Sequence, residues 1–389
     1  MLDHKLIEQE YGYLKDVIFL NVSSVVMPPE RVRKAYGSFM EDYVANFGAD
    51  VVSKAWDIVN SARPKVQRLI NAADPHEIAF VKNTAEGVSI LASGLKMAPG
   101  DNVVIADQEH QSTLFPWINA HEQRGIELKV IRSEDREIPM QAMIDAIDGR
   151  TKVLMVSSVQ FSTGFAADLK LLGRACREKG VIFAVDGIQS LGRLKLDVQD
   201  FCIDYLAAGS NKGLLGTLGT GIVYCSDRIV KDIIPSYAGY QSTVSHVAPP
   251  SITTEFDSLE WYPHARRFES GNQSYNCILA LSKGVDLILE LGIDNIDAHI
   301  RSLEEDLRAR IADLKLHVVQ AKDPRHWGGM VCVYYSPRHE DDVVRILGKH
   351  RIYATMRGGY MRFGLEFFNT HEQMEILSKA LHEIDAIQD

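Results

Sequence analysis

The chain is short of the features that mark a secreted, membrane-embedded or nucleic-acid-binding protein. Its five cysteines, Cys176, Cys202, Cys225, Cys277 and Cys332, are odd in number and widely spaced, so neither a disulfide framework nor a CxxC metal motif is expected. That usage fits a reducing compartment, and a cytoplasmic location is the expectation. No run approaches the roughly 18 consecutive apolar residues of a membrane span. The first sixteen residues, MLDHKLIEQEYGYLKD, mix both signs of charge without an apolar block, so no leader or anchor is expected. Basic excess is missing too: 42 Lys and Arg stand against 52 Asp and Glu, a formal charge of -10. Neither nucleic acid nor an anionic membrane is therefore an expected partner. The thirteen histidines form no HExxH; His371 and Glu372 come nearest, but Glu375 stands where the second histidine would be. No catalytic metal is expected.

What is present is length and apolar content. A chain of 389 residues that is 46% hydrophobic exceeds the roughly 250–300 residues at which a single core stops growing. Two unequal domains are expected, a large one over 17–258 and a small one from 1–16 with 259–389. From about residue 78 to 225 one rhythm repeats: a short β-branched apolar run, a polar or glycine break, then a helix-length amphipathic stretch. The runs cover 78–81, 102–106, 128–131, 152–157, 181–185, 203–208 and 219–224. Most are apolar on both faces, which predicts a mainly parallel, doubly wound α/β sheet. Residues 236–271 contain prolines, serines and aromatics without a clear period, and long segments of this kind are usually functional. Two helical patterns follow over 275–314. Strands at 316–320, 329–335 and 361–366 then alternate with helices, and Thr370 with Gln373 makes a capping box, so the tail reads as a small α+β domain.

Ligands of an open α/β sheet gather at the carboxyl ends of its strands, so polar residues that directly follow apolar runs carry the chemistry. Four such points stand out: Asn83-Thr84, Glu109-His110, Asp186 and Lys212. Singly, each has an ordinary explanation as a helix cap, a surface loop residue, a turn or a solvated lysine. In combination they supply a helix N-terminus for an anion, an aromatic cation, a buried acid and an amine. Pyridoxal phosphate needs such a set: an amine for a Schiff base, a carboxylate to keep the pyridine nitrogen protonated, and donors for the phosphate. Lys212 in a glycine-rich loop suits the amine, Asp186 at a strand end suits the acid, and Thr84 at a helix start suits the phosphate.

These residues sit in motifs that resemble the class V aminotransferases of pyridoxal-phosphate fold type I, a family with cysteine desulfurases, selenocysteine lyases, kynureninases and isopenicillin N epimerases. The motifs are FLN at 19–21, NTAEG at 83–87, QEHQSTLFPW at 108–117, VDGIQSLG at 185–192, SNKGLLG at 210–216, PSYAGY at 235–240, RRFESGN at 266–272 and MRFGLEFFNT at 361–370. The resemblance implies that His110 stacks on the pyridine ring, Asp186 pairs with its nitrogen and Gln189 bonds its hydroxyl. Lys212 holds the cofactor and then moves the Cα proton. Thr84 and the following amides, beginning at Ala85, take the phosphate with help from Asn272 of a second subunit, so a homodimer with shared sites is implied. Arg362 clamps the carboxylate of a small amino-acid substrate. The sequence departs from the family pattern at Asn211 and Gly213 around the lysine, at Gln160 and Phe161 near the ring hydroxyl, and at Ala85 and Asn272 in the phosphate cradle.

Desulfurases of this family carry a nucleophilic cysteine shortly before the carboxylate-binding arginine. No cysteine lies between Tyr335 and Arg362, and Cys332 falls inside the apolar run GMVCVYY, where a buried, inert thiol is expected. The expected reaction is a β-elimination such as C-S cleavage without a persulfide cysteine, with transamination and epimerisation as alternatives. The aromatics of 236–271, Tyr237, Tyr240, His246, Trp261, Tyr262 and His264, either shape the pocket or pack at a subunit interface. Two competing readings are weaker. The run GLLGTLGTG at 213–221 fits no phosphate-loop pattern and precedes a strand instead of opening a helix. A non-catalytic relative would be expected to lose the lysine or the acid, and both are present.

Overall fold

The computed structural model describes residues 2–49, 51–244, 259–319, 321–357 and 359–388. All seven apolar runs form strands of one sheet: β1 (Ile78–Val81), β2 (Asn102–Ala106), β3 (Glu127–Ile131), β4 (Thr151–Ser157), β5 (Ile182–Asp186), β6 (Tyr205–Gly209) and β7 (Gly221–Cys225). Their order across the sheet is β1-β7-β6-β5-β4-β2-β3. Neighbours are parallel except β7, which runs antiparallel to both β6 and β1. The sheet is thus mainly parallel, with one reversed strand that apolar content alone does not foretell. Burial follows position: β2, β6 and β7 are buried throughout, whereas β3 at one edge is partly exposed. At the other edge the backbone of β1 is capped by side chains, Phe80 N–H donating to Glu269 Oε1 at 2.7 Å while Arg63 bonds the Ile78 carbonyl. An edge closed in this way offers no template for a further strand.

Helices cover both faces: α1 (Glu30–Ala45), α2 (Val51–Ile70), α3 (Thr84–Gly94), α4 (Gln111–Arg124), α5 (Leu169–Lys179), α6 (Tyr275–Leu291), α7 (Ile293–Arg310), α8 (Glu340–Lys349) and α9 (His371–Asp385). One face of the sheet packs Val103 and Tyr205 in a cluster with Leu91 of α3 and Trp117 of α4. The other joins Phe80, Leu206 and Ile288 to Phe363 and Leu381 in one continuous core. A second, antiparallel sheet has the order β10-β11-β9-β8, from β8 (Val318–Val319), β9 (Met330–Tyr334), β10 (Thr355–Arg357) and β11 (Tyr360–Gly364). Here β8 is shorter than the expected run, whose Gln320 lies outside the described residues, and β10 is a strand that the periodicity did not reveal. The two helical patterns are α6 and α7, and the capping box of Thr370 with Gln373 opens α9. Within 236–271, residues 245–258, His246 among them, lie outside the described residues. What is described there includes a bridge between Thr243 and Trp261 and a single 3-10 turn over Ala265–Phe268.

Segment 18–26 ties the two sheets together. Ile18 and Phe19 pair in parallel with Ile352 and Tyr353, Gly364 N–H donates to the Leu20 carbonyl at 2.8 Å, and Val26 N–H donates to the Asn211 carbonyl at 2.9 Å. Among the described residues no helix is long and apolar enough to cross a membrane.

Candidate active site

Because β7 alone runs backwards and β1 is antiparallel to it, β1, β2, β4, β5 and β6 all point their carboxyl ends at one edge. Thr84, His110, Asp186 and Lys212 follow those ends. Asp186 closes β5 in register with Ser157, the last residue of β4. His110 is the N-cap of α4, its Nδ1 accepting from Ser112 N–H at 3.1 Å, which leaves the proton of the neutral ring on Nε2. Thr84 is the first residue of α3, and the cap is Asn83, whose Oδ1 accepts from Glu86 N–H at 2.9 Å. The amides of Glu86 and Gly87 are taken by Asn83. Those of Thr84 and Ala85 stay outside the helical ladder and face the anion-favouring end of the helix dipole. The Thr84 hydroxyl accepts from Gly209 N–H at 2.9 Å and keeps its own proton to donate.

The loops after β5 and β6 touch backbone to backbone. A Cβ on Gly192, whose φ is 86°, would lie 2.2 Å from the Gly213 carbonyl oxygen, and one on Gly213 would lie 2.5 Å from that of Leu191. Only glycine lets the two loops press together, and this contact sets the Asp186 loop beside the Lys212 loop.

Electrostatics link the residues so gathered. Asp186 is buried, with Thr113 Oγ1 donating to Oδ2 at 2.6 Å and Ile188 N–H to Oδ1 at 3.0 Å. Burial pushes its carboxyl up, while those bonds and the charges of Lys212 and His110 pull it back. Burial brings the Lys212 ammonium down to about 8, Arg362, Arg193 and Arg357 acting in the same sense and Asp186 opposing. His110 is lowered by burial and by Lys212, so the ring is neutral near pH 7. Its edge meets Phe161, with ring centroids 4.9 Å apart and planes at 89°. Behind it Glu109 accepts from Ser157 N–H at 2.9 Å, from Gln160 Nε2 at 2.8 Å and from the Ser157 hydroxyl, and burial lifts its carboxyl to about 7.

Two further side chains reach the site from outside the sheet edge. Gln189 donates through Nε2 to the Ser23 carbonyl at 3.0 Å and leaves Oε1 buried without a partner. Arg362, on β11, donates to the Phe161 carbonyl at 2.6 Å and to Ser24 Oγ at 2.8 Å, its Nε also buried and unpartnered. Asn272 is not part of this group within the chain. It is exposed and accepts from Tyr240 and Tyr275. Tyr262, His264 and His76 form a separate stack, with His264 brought down to about 4 chiefly by burial. Among the described residues none of these rings bonds or stacks on Lys212, His110 or Asp186. Sequence reasoning missed Thr113, although it lies one helical turn beyond His110, and Arg357, although Gly358-Gly359 between it and Tyr360 is a hairpin signal.

The site can therefore hold a ligand with an anionic group near the Thr84 and Ala85 amides, a basic nitrogen near Asp186, a hydroxyl for the orphaned Gln189 Oε1 and a carbonyl for Lys212. Pyridoxal phosphate has all four features, so the residues present fit it.

Comparison with known proteins agrees with that fit. The family model described as aminotransferase class-V matches residues 18–377. A probable cysteine desulfurase of Methanothermobacter thermautotrophicus is 29% identical over 97% of this chain and 97% of its own length. One of Pyrococcus abyssi is 26% identical over 97% and 96%. Among solved structures, the apo cysteine desulfurase of Thermococcus onnurineus NA1 superimposes with a TM-score of 0.87 at 21% identity, covering 100% of this chain and 99% of that one. The cystine C-S lyase C-DES in complex with its product cysteine persulfide gives 0.86 at 20% identity, covering 96% and 100%.

Proposed function

The chain belongs to the aminotransferase class-V family of pyridoxal-phosphate-dependent enzymes, and from that premise we propose that it cleaves a small α-amino acid at Cβ by β-elimination, a C-S lyase-like reaction that uses no persulfide-forming cysteine. The observation that carries the reading is that a half-buried amine, Lys212, and a buried carboxylate, Asp186, lie close enough at one sheet edge for each charge to act on the other. When bound, pyridoxal phosphate supplies an electron sink for the bonds at the substrate Cα.

The chain's own groups do the rest. Thr84, through its hydroxyl and amide, and the Ala85 amide receive the phosphate, with Asn272 reaching the same group from a second subunit. Asp186, whose charged form the Thr113 and Ile188 donors favour, would hold a proton on the ring nitrogen. Gln189 Oε1 would take the ring hydroxyl, and His110 would face the ring. The lowered pKa of Lys212 leaves a useful fraction neutral, ready to attach the cofactor covalently and, once displaced by substrate, to carry the Cα proton. Arg362 binds the α-carboxylate through a guanidinium already aimed by Phe161 and Ser24.

Against a persulfide route, Cys332 is buried in β9 with its thiol pushed up to about 12 by burial, and the other four cysteines are Cys176, Cys225 and Cys277, buried, and Cys202, half-buried. Free cysteines also support a cytoplasmic location. A homodimer is supported by Tyr36, Met40, Tyr43 and Val44, exposed along one face of α1, and by Phe47 just beyond, 97% exposed. Beside them lies an apolar hollow lined by Phe39, Ile58 and Leu279. The same reading divides the chain into a cofactor lobe over 17–258 and a smaller lobe of 1–16 with 259–389. The test is direct. The purified protein is expected to show a visible absorbance band that borohydride bleaches, and a panel of amino acids to release pyruvate, ammonia or sulfide. Keto acid without ammonia would replace elimination by transamination, and a colourless protein that takes up no cofactor would end the reading.

A further inference from the structure

The arginines around the site differ in what stands beside them. Arg193, buried beneath Lys212, is offset by Glu366 at 3.6 Å. Asp186 offsets the ring nitrogen, and the α-carboxylate offsets Arg362. Arg357 has no such partner among the described residues. Arg357 is exposed at the end of β10, and among the described residues it makes no hydrogen bond or ion pair.

Register fixes where it stands. In the β10-β11 hairpin Thr355 lies opposite Arg362, and Arg357 lies opposite Tyr360. Cross-strand partners share a face, and so do residues two apart along a strand. Thr355, Arg357, Tyr360 and Arg362 therefore occupy one face, and it is the site face, since Arg362 reaches Phe161 and Ser24 from it. Independently, the Arg357 charge is felt at Lys212, His110 and Arg362, and helps to lower all three. A second guanidinium thus borders the cleft two residue pairs further along the hairpin than the first.

We propose that Arg357 is a second anion subsite, so that the amino acid handled here carries a further acidic group, a carboxylate or a sulfinate, at the end of its side chain. The inference rests on the reading that Arg362 takes the α-carboxylate. With that group seated, the side chain of a short amino acid extends along the hairpin face, where Tyr360 forms the floor and Arg357 the far wall. Neutral side chains leave this guanidinium to solvent, whereas an acidic one gains a charge-assisted hydrogen bond of the kind that distinguishes ligands by about tenfold to a hundredfold.

The experiment uses the cofactor-loaded protein and follows two readouts, perturbation of the visible band and calorimetric affinity. Probes are L-aspartate, L-glutamate and L-cysteine sulfinate, each set against L-asparagine, L-glutamine, L-serine and L-alanine. Wild type is expected to bind at least one acidic probe about tenfold or more tighter than its neutral counterpart. Arg357→Gln should abolish that preference while leaving L-alanine within about twofold, and Arg357→Lys should retain part of it. Equal affinity for acidic and neutral probes in wild type, or a preference that survives Arg357→Gln, overturns the subsite but not the reading beneath it. A band that no amino acid perturbs overturns both. Should Arg357→Gln fail to fold, the wild-type panel decides alone.

Discussion

The two poles of the site are built on different principles. At the cofactor pole Asp186, Lys212, Thr84 and His110 leave the ends of buried strands of one sheet, and Asp186 is held by neutral donors, Thr113 and Ile188. At the substrate pole Arg362 and Arg357 stand on a hairpin of the second sheet, and Arg362 is aimed by Phe161 and Ser24, residues distant in the chain. The first pole takes its geometry from the register of neighbouring strands, which sets Asp186 beside the loops that carry the others. The second depends on two sheets meeting correctly, and is where specificity is free to change without disturbing the chemistry.

Substitutions break or sharpen that contrast. Lys212→Ala should erase the visible band and cut turnover by about 10⁴, the upper range for losing a positioned acid-base group; a band that persists would place the chemistry elsewhere. Arg362→Lys should leave the band intact and raise KM by about tenfold to a hundredfold, since lysine cannot form the two-pronged contact; an equal loss in kcat would mean that the poles are not separable. Thr113→Val removes a donor that lowers the Asp186 pKa, so the carboxyl shifts further up and takes a proton more readily. A fall of about tenfold in kcat with KM unchanged, and a displaced pH dependence of the band, are expected. In the cofactor-free protein the Lys212 amine, with a pKa of about 8, is protonated below that pH. Cofactor capture should therefore slow by about tenfold per pH unit below 8 and level off above it, which a stopped-flow pH series reads directly. Cys332→Ala should cost about 1–2 kcal/mol of stability by emptying a buried site, yet change turnover less than twofold; a large loss of sulfur release would restore a role for that thiol.

Legibility in the sequence followed the same division. The seven strands and the four polar residues after them were readable because a buried parallel strand must be apolar on both faces and its ligand-facing residue comes next in the chain. The reversal of β7 was not, since an apolar run carries no direction. Thr113 was hidden because its partner Asp186 is 73 residues away, joined to it only by the order of strands. The short strands β8 and β10 were lost or blurred because two or three residues display no period. Asn272 was placed by resemblance to a second subunit, and within one chain it belongs to the Tyr240 and Tyr275 cluster.

Segment 18–26 gives the site a schedule as well as a shape. Its Ser23 and Ser24 bond residues 166 and 338 positions away, Gln189 and Arg362. At ribosomal rates of roughly 5–20 residues per second, on the order of half a minute separates the synthesis of the serines from that of the arginine. Gln189 and Asn211 can meet the early segment before that interval ends, while its contacts with the second sheet, so distant in sequence, form late and slowly. A nascent chain cut short before β11 would possess every residue that holds the cofactor and still lack the arginine that Ser24 aims and the strand that Leu20 pairs with, which makes this stretch the natural place for a chaperone to wait.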